Sequence, residues 1–148
     1  MKLSKQAVAS LVVAVSVAGA AVAVVAAEAF HERHMAMEAV GDAMKPLGAI
    51  AKKQAPFDAA VVKASATTIA DNLKKASSLF PAGSGGGESK AKPEIWTDAA
   101  GFDREMKEAH AAAVALQSVK DEAAFGPALG ALGAKCKNCH DMYRMPTQ

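Results

Sequence analysis

Cys136-Lys137-Asn138-Cys139-His140, followed by Asp141-Met142-Tyr143-Arg144, stands near the end of a 148-residue chain that has no other cysteine. Two cysteines separated by two residues, with a histidine directly after, form the attachment pattern of a c-type haem. Each thiol adds to a vinyl group and the imidazole becomes an axial iron ligand. Residues three apart share one face of a helix, so Cys136 and Cys139 reach one porphyrin edge while His140 turns beneath the ring. A zinc site, a redox dithiol or a disulfide are the competing uses of such a pair. Structural zinc needs a second ligand pair at short spacing, and His31, His34 and His110 are scattered instead. A redox dithiol opens a helix after a strand, whereas this motif lies inside an apolar helical pattern.

The other end of the chain agrees with that chemistry. Lys2 and Lys5 precede an uncharged Ala- and Val-rich run from Ala7 to Ala27, which ends in small residues before Glu28, the first acid. Residues 1–27 read as a secretory signal, or as a membrane anchor if the leader is not cleaved. Export is expected to lead to the periplasm, where such motifs receive haem. Removing Lys2 and Lys5 from seventeen basic residues leaves fifteen, against fifteen acidic ones. A chain so balanced has no concentrated basic face for nucleic acid. Residues 28–148 suit one small domain.

Working back through that domain, apolar positions recur at helical spacing four times. Phe30, Met37 and Met44, with Val40, Leu47 and Ala51, predict a helix over 28–53. Pro56 breaks it and Asp58 caps a second helix, whose stripe is Val62, Ile69, Leu73 and Ala76. Residues 79–96 hold Pro81, Pro93 and the run Ser84-Gly85-Gly86-Gly87, and read as a long, mobile surface loop without helix. Thr97 or Asp98 caps a third helix with Phe102, Met106, Ala109, Ala113 and Leu116 inward. The last helix begins at Glu122 or a few residues later, and carries Phe125, Leu129, Leu132, Cys136, Cys139 and Tyr143 on one side. Four amphipathic segments of about twenty residues, each roughly 30 Å long, predict an all-α antiparallel four-helix bundle with one covalently attached haem.

Spacing alone leaves the second axial ligand open. Met37, Met44 and Met35 all lie on the first helix, and a methionine on a helix stripe is also ordinary core filler. Met44 is two turns, roughly 10 Å, from Met37, so the two cannot serve one iron. His34 would give bis-histidine ligation.

The motif with Tyr143-Arg144 on the last of four helices resembles the cytochrome c′ family. So do Leu47-Gly48-Ala49-Ile50-Ala51-Lys52, Pro56-Phe57-Asp58, Glu94-Ile95-Trp96 and Phe102-Asp103, in that family's order, and the likeness is greatest to its low-spin cytochrome c-556 branch. High-spin members keep an apolar first-helix residue over an open iron position, whereas the c-556 type places a methionine there. The resemblance makes that residue Met37, ten positions before Leu47 and four after Arg33, which matches the family's first-helix arginine. Arg144, one turn after His140, is a candidate for a haem propionate or for support of the imidazole, or else it complements the helix dipole; Arg33 reaches a propionate or only solvates its helix, and Trp96 and Tyr143 are expected to pack near the haem.

These readings imply a non-enzymatic haem c protein that passes electrons to redox partner proteins through His140 and Met37. The alternative is a five-coordinate, high-spin form that binds nitric oxide or carbon monoxide. A third class is a thiol-metal or disulfide-stapled helical protein without haem. Some family members are dimers built on the first two helices, so a homodimer is also among the expectations.

Overall fold

In the computed structural model the backbone is described for residues 5–146 and side chains from Ala23 onward. Most of the expected leader, and with it the choice between cleaved signal and retained anchor, therefore lies outside the residues whose side chains are described. Helix α1 (Lys5–Ala51) runs without a break through Ala27 and Glu28. It ends two residues earlier than expected, where Lys53 takes a left-handed φ of 57°. Among the described residues no helix is long and apolar enough to cross a membrane.

Helix α2 (Ala59–Ser77) starts where Asp58 accepts from the Ala60 and Val61 amides, satisfying two of the donors that a helix start leaves free. A four-residue turn, α3 (Glu94–Thr97), precedes α4 (Ala99–Leu116), which Asp98 caps through the Gly101 amide. Helix α5 (Glu122–Tyr143) starts at Asp121, whose carboxylate accepts from the Ala124 amide. Consecutive long helices pack on one another, α1 on α2, α2 on α4 and α4 on α5. Glu32 and Lys75 pair across α1 and α2, and Glu108 and Lys135 across α4 and α5. The core holds most of each stripe read from the sequence, with Leu47, Val62, Ile69, Leu116 and Leu132 fully buried; Ala51, at the end of its helix, is exposed instead, and Phe30 is half-buried outside the core. Phe102 joins the loop to α5, with its ring 4.7 Å from Phe80 and 5.3 Å from Tyr143.

Residues 79–93 are not the free loop that their glycines suggest. Gly83, Gly86 and Gly87 take positive φ values of 80°, 83° and 56°, which fold the segment back on itself. That path buries Ser84 and Ser89. The Trp96 indole donates to the carbonyls of Phe80 (3.0 Å) and Pro81 (3.2 Å), while Gly85 passes so close that a Cβ there would lie 2.7 Å from the indole ring. Farther along, the Lys92 amide donates to Tyr143 O (3.0 Å) and the Met145 amide to Lys90 O (2.7 Å). Ala91 thereby forms an antiparallel bridge with Arg144. Residues 94–96, expected to be loop, and Thr97, a candidate cap, form a helical turn because Pro93 already has helical φ and Ile95 has a buried place to occupy.

Candidate haem-attachment site

The last helix points its two thiols inward. Cys139 is buried, Cys136 half-buried against the core, and no disulfide joins them. Burial pushes the Cys136 thiol up; burial, with Glu105 and Cys136 adding, pushes Cys139 up to about 11. Burial thus favours the uncharged thiol at both positions. His140, the next residue, is open to solvent on one edge. Partial desolvation and the Arg144 guanidinium hold its imidazole below the usual value, which keeps a lone pair free for a metal. Among the described residues no three His, Cys, Asp or Glu side chains gather to hold a metal ion. Two unbridged thiols on one face with an imidazole beside them fit a haem c. Cys136 and Cys139 could anchor it and His140 could ligate its iron.

Along α1, His34 and Met35 face outward and Met37 and Met44 inward. His34 lies at the surface, 3.4 Å from Glu38 and stacked on Phe30. Met35 is 48% exposed, while Met37 and Met44 are half-buried against the core. Among the described residues, α1 and α5 are not packed on one another as the consecutive long helices are.

Arg33 is buried and turned toward the loop. Its Nη1 donates to Ser84 Oγ (2.9 Å) and Leu79 O (3.2 Å), its Nη2 to Ser89 Oγ (2.8 Å) and to the Ser84 carbonyl. The guanidinium also lies 5.3 Å from the Phe30 ring centre and 4.9 Å from that of Phe80. A propionate contact would require Arg33 to give up some of these bonds. Arg144 is exposed, and its amide donates to His140 O at 3.0 Å. Trp96 packs against the loop through its indole hydrogen bonds, and Tyr143 is buried with its hydroxyl on Asp98 (2.7 Å).

Three features of this region were not read from the sequence. The Arg33 clasp depends on serines 51 and 56 positions away. The Tyr143–Asp98 bond likewise spans 45 positions. The third, Glu105, did carry a signal: it lies three after Phe102 and four before Ala109, on the inward face of α4, and it is buried.

Residues 28–144 match the Cytochrome C′ family. Cytochrome c′ from Rhodopseudomonas palustris is 41% identical over 146 residues, 97% of each chain. A solved structure of cytochrome c′ from that organism superimposes with a TM-score of 0.77 at 41% identity, over 81% of this chain and 98% of the other. Cytochrome c-556 from Agrobacterium fabrum is 40% identical over 83% of this chain and 85% of its own. A nitric oxide complex of a cytochrome c′ variant from Alcaligenes xylosoxidans is 31% identical, with a TM-score of 0.75 over 82% of this chain and 97% of the other. The chain therefore belongs to the cytochrome c′ family and carries one covalently attached haem c.

Proposed function

We propose that the chain is a periplasmic electron-transfer cytochrome, with Cys136 and Cys139 as thioether anchors and His140 and Met37 as the axial ligands. The sorting of side chains along α1 supports this most directly. His34 and Met35 face outward and Met37 and Met44 inward; of these two, the resemblance to the c-556 branch matches Met37 to that branch's ligand methionine. The chemistry supplied by the bound haem is one-electron exchange at iron. Imidazole and thioether bring no charge to that iron, and together they raise its potential. With both positions filled by the chain, the ligand set stays the same in both oxidation states and little rearrangement accompanies transfer. Tyr143 and the Phe80–Phe102 pair keep water from the core side. Arg144, one turn past His140, supports the imidazole electrostatically. The leader, residues 1–27, directs export, and the partners are redox proteins; a homodimer on the first two helices is compatible with this role.

A second reading has support of its own. Similarity to cytochrome c′ at 41% and to cytochrome c-556 at 40% does not separate the branches, and an Alcaligenes xylosoxidans cytochrome c′ variant has been solved as a nitric oxide complex. In that reading Met37 only packs, and a small gas binds opposite His140. Neither reading makes the chain an enzyme. The absorption spectrum of the reduced holoprotein tests the choice. A narrow low-spin α-band that Met37→Ala converts to a high-spin, carbon monoxide-binding spectrum fits the first reading, with a fall in potential. A wild-type spectrum already high-spin, or an unchanged low-spin spectrum in Met37→Ala, rejects Met37 as ligand.

A further inference from the structure

We propose that Glu105 is a buried charge that sets the haem's reduction potential. The Tyr143 hydroxyl donates to Asp98 Oδ2 (2.7 Å) and Lys135 Nζ to Glu108 Oε2 (2.7 Å), so α4 and α5 run antiparallel in a register that puts Glu105 opposite the Cys136–Cys139 turn. Asp98 and Glu108 each receive a donor from α5; Glu105, between them, receives none. Its Oε2 is buried without a hydrogen-bond partner, the one such side-chain atom among the described residues. The nearest cation to its other oxygen is the Arg104 Nε at 3.9 Å, on a side chain that itself lies in solvent.

An unpartnered polar side chain in the core costs stability whether it is a carboxylate or an amide, so the fold gains nothing from Glu105 that an uncharged residue would not match. What the charge adds is its effect on a neighbouring redox centre. Reduction transfers one electron from a donor protein and removes one unit of positive charge from ferric iron. A carboxylate beside the anchoring thiols therefore favours the oxidised state, and in a dry core little solvent screens it. The effect opposes the rise that methionine ligation brings, and it does not depend on which group fills the sixth position.

Redox titration of the holoprotein tests this, with optical spectra recorded throughout. Glu105→Gln keeps the shape and removes the charge. The expected result is a higher midpoint, with the reduced-to-oxidised ratio at fixed ambient potential raised on the order of tenfold, which is about 59 mV for one electron. Spin state should not change. Asp103→Asn removes an equal charge from the exposed face of the same helix and should move the midpoint far less. If Glu105→Gln loads haem poorly, Glu105→Met is titrated in its place with the same expectation. An unchanged midpoint in the Glu105 variant, or equal shifts from Glu105 and Asp103, overturns the proposal. Because the spectrum reports ligation and the titration reports charge, failure here is distinguishable from failure of the Met37 assignment.

Discussion

Tyr143 and Asp98 show how much one pair can report. The hydrogen bond to Asp98, then burial, lifts the phenol to about 12 from its ordinary 10. The same bond, then the Gly101 amide, holds the Asp98 carboxyl below its ordinary value. A raised phenol stabilises the fold fully below pH 10 and loses that contribution as pH rises through about 12. A lowered carboxyl stabilises above its ordinary 3.8 and loses the contribution as pH falls through the lowered value. Tyr143 is the only tyrosine, so its ring carbon signals in a nuclear magnetic resonance titration are unambiguous. Asp98→Asn should bring the midpoint back toward 10. Gly101→Ala should do the same by steric means, because a Cβ there would fall 2.5 Å from the Tyr143 hydroxyl and closer still to the Asp98 carboxylate. The overpacking should also cost about 1–3 kcal/mol in chemical denaturation. A tyrosine titrating near 10 in the unmutated protein would contradict the bond.

The segment between α2 and α4 owes its shape to one side chain of α1. Arg33→Ala removes donors from two buried serines and two carbonyls at once, and should destabilise the protein by about 3 kcal/mol or more. Proteolytic cleavage should appear within 82–88, where the unmutated chain resists. Arg33→Lys should rescue little, because an ammonium cannot fork to both serines. Helix stripes such as Phe102, Met106, Ala109, Ala113 and Leu116 were legible because their periodicity is local and each residue reports its own face. The Cys136–Cys139 turn was legible for the same reason. The clasp was not, since Gly85, Gly86 and Gly87 announce backbone freedom without saying what the chain does with it. Here that freedom brings Ser84 and Ser89 to a guanidinium half a bundle away. Glu105 was overlooked because a single acid on an apolar stripe looks like a rim position until the facing helix is placed.

For the whole molecule, the haem is expected to act as core. Cys136 and the half-buried Met37 and Met44 lie against one and the same core, which a porphyrin held by the thiols would have to share. Cys136→Ala with Cys139→Ala should give an apo form that melts without a sharp calorimetric transition; a cooperative transition at the temperature of the holoprotein would refute this. The segment 79–93 is fastened twice, to Arg33 by Ser84 and Ser89, and to residues 143–145 by Lys90 and Lys92. The segment is thus a tether between two helices that are not packed on one another, and slack introduced at Arg33 should be passed along it to the residues that directly follow His140.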